Sequence, residues 1–180
     1  MKITIKTGLI FAAIWILMRM IFFWSGIKGA EIALTMLNSL CLISAISVGL
    51  YLFKRQTSDS NALMDIKEGM SAGLPYTVIV SIFLYFFYNT IDPEYTKHKV
   101  EDRMTAVEEY IAEDANWANV KENSTYETYT KEEFLASERE SAETFNSAKF
   151  VTIISLLGGL LLGTFYSIFV TAIYRKIVFR

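Results

Sequence analysis

The stretch YFFYNTIDPEYTKHK, residues 85–99, changes character at its middle: four aromatics in a row give way to Asn-Thr and Asp-Pro, and charged residues follow. Upstream of this seam, from Leu74, the chain reads LPYTVIVSIFLYFFYNTI without a charge. Downstream, residues 92–148 carry fifteen carboxylates against six Lys or Arg, a net charge of −9. A switch from hydrocarbon-like to heavily charged sequence within a few residues is what a membrane surface demands, because the bilayer core has no water for a charge or a bare peptide group.

Three further apolar blocks follow the same pattern. LIFAAIWILMRMIFFW covers residues 9–24, IALTMLNSLCLISAISVGLYLF residues 32–53, and FVTIISLLGGLLLGTFYSIFVTAIY residues 150–174. About 20 helical residues cross about 30 Å of hydrocarbon, so the chain is expected to span a membrane four times, at about 5–24, 31–53, 74–91 and from 149 onward. The first block has the basic start of a secretory leader in Lys2 and Lys6. However, Arg19 interrupts its apolar run and no A-x-A site follows, so it is expected to remain as a span. At 180 residues and 53% hydrophobic composition, a single compact unit is expected.

Lys and Arg collect on cytoplasmic segments. Lys2 and Lys6 precede span one, Lys54, Arg55 and Lys67 lie between spans two and three, and Arg175, Lys176 and Arg180 follow span four. This places both termini and the link 54–73 in the cytoplasm and residues 92–148 outside it, as in a bacterial inner-membrane protein. Within the link, Leu63, Ile66 and Met70 share one side, which predicts a short amphipathic surface helix. Pro75 falls near the start of span three, where it costs little.

The acidic segment is patterned. Val100, Met104, Val107 and Ile111 recur at helical spacing. Asp92, Pro93 and Glu94 suit the N-cap, the first helical position and the first turn. A helix is therefore predicted from Pro93 to about Ala118. A turn follows over 119–129, and a capping box at Thr130 to Glu133 opens a second helix. Phe134, Leu135, Ala142 and Phe145 give that helix an apolar side. With no helix-breaking cluster between Thr130 and Tyr174, it is expected to continue unbroken into span four. The fold class is therefore all-α: a four-transmembrane-helix bundle with an extracytoplasmic antiparallel hairpin between spans three and four.

Small residues let helices approach closely in lipid. Span four carries Ser155, Gly159, Gly163, Ser167 and Thr171 every fourth residue, and Gly69, Gly73, Thr77 and Ser81 repeat that spacing into span three. These stripes are expected to pack spans three and four together, or to form a homodimer face on span four. Asn38 is expected to hydrogen-bond between helices. Arg19 is the one ionisable residue within the apolar blocks. It is read either as an anchor reaching the headgroups, Glu31 or Asp92, or as a group that handles an anionic substrate or ion.

No residue is assigned a catalytic, cofactor-binding or metal-ligating role. One histidine, His98, and one cysteine, Cys41, supply neither a metal cluster nor an internal disulfide. Nucleic-acid binding would want a basic face, and the charged segment is acidic. Tyr110, Trp117, Tyr126 and Tyr129 near the hairpin tip are candidates for partner contact or for packing on one another. Two readings follow. One is a non-enzymatic accessory or assembly subunit, in contact with membrane lipids and with a protein partner or second copy. The other is a small transporter or lipid- or glycolipid-handling protein that uses Arg19.

The KTGLIF opening, the Gly69–Gly73 segment leading into span three, the FYNTIDPEY seam and the Gly-rich last span with its basic end give the chain a likeness along nearly its whole length. It resembles the DUF4199 family, small membrane proteins typical of Bacteroidota and of unknown function. The resemblance implies a membrane protein and brings no catalytic residues with it.

Overall fold

The computed structural model describes residues 1–26, 31–57, 60–123 and 125–178. Among them every regular element is helical. The helices are α1 (Ile3–Trp24), α2 (Glu31–Gln56), α3 (Ala62–Phe86), α4 (Pro93–Ala112), α5 (Asp114–Lys121), α6 (Lys131–Asn146) and α7 (Ala148–Ile173). Single π-helical turns, Phe87–Ile91 and Tyr174–Val178, extend α3 and α7. Four of these helical stretches are long and apolar enough to cross a membrane: Ile3–Trp24, Glu31–Gln56, Ala62–Ile91 and Ala148–Ile177. The chain divides into two compact units, one of Met1–Phe83 with Ile153–Arg180, the other of Leu84–Thr152.

In the first unit α1 and α7 are inverted relative to the helices of a water-soluble protein. Thr4, Thr7, Gly8, Ala12, Trp15 and Arg19 form the buried face of α1, while Ile10, Ile14, Leu17 and Ile21 are exposed. On α7, Gly163, Ser167 and Thr171 are buried and Leu157, Leu161, Phe165 and Ile168 are exposed. Such faces are stable where the surroundings are as apolar as the side chains, so that small and polar residues set the helix contacts. Gly8 makes the tightest approach. A Cβ there would overlap the Ala72 carbonyl oxygen and stand 3.0 Å from Pro75 Cγ, so only glycine lets α1 lie on α3 at this point.

α3 differs from its sequence reading. The link 54–73 does not hold a separate surface helix. The helix begins at Ala62, where the Asn61 side chain caps it by accepting from the Met64 amide at 2.8 Å, and continues through Pro75. The apolar run does stop at Asp65, Lys67 and Glu68, but helical hydrogen bonding is indifferent to side-chain polarity, and Pro75, expected near the helix start, lies inside the helix. Leu63 and Met70 point outward, and Asp65 and Glu68 are buried.

In the second unit, α4 and α6 pack through Val100, Met104 and Ala142, with Leu135 against them. Arg103 donates to Glu138 at 2.8 Å and Arg139 to Glu101 at 3.1 Å. These exposed pairs contribute little individually. Phe145, expected on the apolar side, is 58% exposed, with its ring edge-on to Phe150. α6 opens with the expected capping box, in which Thr130 and Glu133 bond each other's backbone amides.

Two breaks were not expected. The helix from Pro93 stops at Ala112 because Glu113 is extended, and Asn116 bridges the kink by donating to the Tyr110 carbonyl and to Glu113 Oε2. The helix from Lys131 stops at Asn146 and does not run on into the last span. Ser147 is extended (φ −63°, ψ 144°), and its Oγ accepts from the Phe150 amide at 3.2 Å, so it caps α7. At the seam, Asp92 occupies the N-cap position but makes no side-chain cap bond; its amide closes the π turn on the Phe87 carbonyl at 2.8 Å.

Candidate functional site

The most concentrated chemistry in the first unit lies where the end of α2, the start of α3 and the end of α7 meet. Asp65 is wholly buried. Its carboxylate accepts from Ser60 Oγ at 2.5 Å, from Lys54 Nζ at 3.2 Å and from Arg175 Nη1 at 2.8 Å. Lys54 also donates to Ser60 Oγ, and Arg175 to the Ser60 carbonyl, both at 3.0 Å. One turn along α3, Glu68 accepts from Lys2 Nζ at 2.6 Å and from Thr4 Oγ1 at 3.0 Å. Two carboxylates three residues apart thus gather cations from α2, α7 and the residue preceding α1. A charge withdrawn from water needs such compensation, since removing one partner of a buried pair strands the other.

Sequence reasoning found no carboxylate within the spans and missed this cluster, because α3 was begun at Leu74. A signal was present. The four-residue stripe Gly69, Gly73, Thr77, Ser81 extends backward to Asp65, and the stripe ending at Thr171 extends forward to Arg175.

Between those ends the stripes face one another with constant register. A Cβ on Gly69 would stand 3.0 Å from Ser167 Cβ, one on Gly73 3.6 Å from Gly163 Cα, and one on Gly159 2.5 Å from Thr77 Cγ2. Ser81 Oγ lies 3.5 Å from Ser155 Oγ. Each step of four up α3 is a step of four down α7, so the two helices run antiparallel at close backbone distance. Ser167 spends its hydroxyl on the Gly163 carbonyl at 2.7 Å.

Arg19 is 8% exposed, on the same face of α1 as Trp15, so it does not lie along the outer surface of the helix as a snorkelling anchor would. Trp15 Nε1 reaches the Leu34 carbonyl at 3.4 Å, and its ring meets Phe83 edge-on. Asn38 does bond between helices: the Tyr76 hydroxyl donates to its Oδ1 at 2.6 Å.

In the second unit, three of the four aromatics proposed for partner contact gather around Phe134, which is 7% exposed. Trp117 and Tyr126 meet its ring at centroid distances of 5.7 and 5.0 Å, and Tyr129 packs on Tyr126 at 5.6 Å. Lys121 and Lys131 lie over the Trp117 ring, and Lys121 also donates to the Glu127 carbonyl. Tyr110 stands apart from this cluster and is 50% exposed. Near the start of α4, Lys97 Nζ donates to Glu94 Oε1 at 2.7 Å and holds that carboxyl below its ordinary value.

The model of the family described as DUF4199, protein of unknown function, matches residues 6–176. No match was found among curated proteins or among solved structures. The family match runs from before Gly8 to the turn that holds Arg175, and so includes both faces of the α3–α7 contact and the whole second unit. The chain belongs to the DUF4199 family.

Proposed function

We propose that this protein is a non-enzymatic accessory or assembly subunit of the bacterial inner membrane. Its four apolar helices span the bilayer with both termini in the cytoplasm. Residues 92–148 form an extracytoplasmic antiparallel helical hairpin that contacts a protein partner. The inverted faces of α1 and α7 support the membrane reading, and the Lys and Arg of the links and ends support the orientation. The pairing of α4 with α6 through Met104 and two ion pairs supports the hairpin.

The observation that carries the partner reading is Tyr110. It keeps half its surface exposed while the neighbouring aromatics turn onto Phe134, and exposed aromatics are favoured where a partner will cover them. A photo-crosslinking residue at position 110 is expected to capture one recurrent protein in cells, whereas the same probe at Ile10 does not. Absence of any adduct, together with unchanged co-purifying proteins after removal of residues 93–146, refutes the reading. Impermeant thiol reagents should reach a cysteine at Asn123 and not one at Lys176.

A second reading, handling of a lipid or small anionic solute, is favoured by the burial of Arg19 among the helices. Arg19→Leu separates the two. Unchanged lipid binding or transport removes this reading and leaves the first intact.

A further inference from the structure

Asp65 and Glu68 are compensated differently. Glu68 has one cation, Lys2, and one hydroxyl, Thr4. Asp65 has two cations, and they are unlike. The Lys54 side chain is 8% exposed and the Arg175 side chain 40% exposed. A single buried carboxylate is neutralised by a single cation, so Arg175 can leave Asp65 without stranding a charge. Lys54 and Ser60 remain on the carboxylate. Losing Lys2 from Glu68 would leave no cation behind. Of the two contacts, only the one at the end of α7 is built to open.

The surroundings of Arg175 fit a moving part. It sits in the π-helical turn Tyr174–Val178. Just before it, the Tyr174 hydroxyl donates to the Ser47 carbonyl at 3.0 Å, which pins α7 at that point. The residues beyond Tyr174 include three basic ones, Arg175, Lys176 and Arg180. The guanidinium matches a phosphate as well as it matches a carboxylate.

We propose that Arg175–Asp65 is a releasable latch, and that the phosphates of lipids with a net negative charge at the membrane surface draw Arg175 off Asp65, opening the turn after Tyr174 while Lys54 remains as the counter-charge of the Asp65 carboxylate. This rests on the reading that the four apolar helices lie in a bilayer, and it is independent of any protein partner.

The full chain, with Cys41→Ala and spin labels on Leu63→Cys and Ile177→Cys, is placed in nanodiscs of phosphatidylcholine alone or with phosphatidylglycerol, and the interlabel distance is measured. Both label positions are largely exposed. One short distance is expected in phosphatidylcholine. With phosphatidylglycerol a longer distance grows, and the open-to-closed ratio rises about fivefold, as one basic residue gained by an anionic surface allows. Arg175→Gln gives the long distance in both lipids. Lys54→Met leaves Arg175 as the sole cation on Asp65, so the latch stays shut in both.

Identical distances in the two lipids overturn the latch. So does a lipid response that survives Lys54→Met. Opening by inorganic phosphate in phosphatidylcholine discs, without a response to phosphatidylglycerol, overturns the lipid as its source. A chain that does not enter the discs overturns the membrane reading itself.

Discussion

Gly158 and Gly159 are adjacent on α7, yet alanine should affect them in opposite directions. A Cβ at Gly159 would stand 2.5 Å from Thr77 Cγ2, 3.1 Å from its Oγ1 and 3.3 Å from its Cβ. Carbon atoms pack best at about 3.5–4.0 Å, so the first contact is about 1 Å too short. Thr77 is 3% exposed and, being β-branched, has little freedom at χ1. Hence α3 and α7 must separate locally. Overpacking of this kind costs about 1–3 kcal/mol, against which alanine regains about 1 kcal/mol of helix propensity over glycine.

A Cβ at Gly158 meets nothing within 4 Å, so only the propensity gain remains. Gly159→Ala should therefore be less stable than Gly158→Ala by about 2 kcal/mol, roughly thirtyfold in the unfolding equilibrium. Reversible unfolding in mild detergent measures both. Thr77→Ala removes the obstructing methyl, and its hydroxyl has no hydrogen-bond partner among the described residues to lose. In that background only the 3.3 Å approach to the remaining Cβ is left, and most of the Gly159→Ala penalty should disappear. Equal stability of the two alanine variants, or a Gly159→Ala penalty that persists undiminished with Thr77→Ala, refutes the close α3–α7 contact.

Four other outcomes follow from named contacts. Tyr76→Phe deletes the bond to Asn38 and should cost about 1 kcal/mol in the same assay. Met104→Ala empties the centre of the α4–α6 contact, where Met104 is 2% exposed, and should destabilise the second unit by about 2–3 kcal/mol, read by hydrogen exchange of α4 amides. Thr130→Ala removes the capping box and should cost about 1 kcal/mol, with exchange fastest in the first turn of α6. Lys97→Ala should raise the Glu94 pKa toward its ordinary value in an NMR titration. Because the folded pKa is the lowered one, the pair's stabilisation is present above the ordinary carboxylate pKa and lost as pH falls through the folded value.

Local chemistry made much of this molecule legible in one dimension. Runs of apolar residues set the extents of α1, α2 and α7, because crossing length is a property of consecutive residues. The capping box at Thr130 was readable because a cap involves residues three apart, and the restart at Pro93 because proline suits the first position of a helix. The interruption at Ser147 also had a local sign, a serine directly before a helix. A lone serine is also common inside helices, so this sign is weak until its side chain is seen to cap the next helix, which ends the previous one.

What tertiary structure alone decided is the fate of the polar groups. Asp65 and Glu68 look like the end of an apolar run. They become interior residues because Lys54, Arg175 and Lys2, distant in sequence, arrive together at the first turns of α3. Trp117 and Tyr126 look like an exposed tip and instead cover Phe134. A sequence records which side chains are charged or aromatic. Whether burying them is favourable depends on partners that only the packed helices bring within hydrogen-bonding or contact distance.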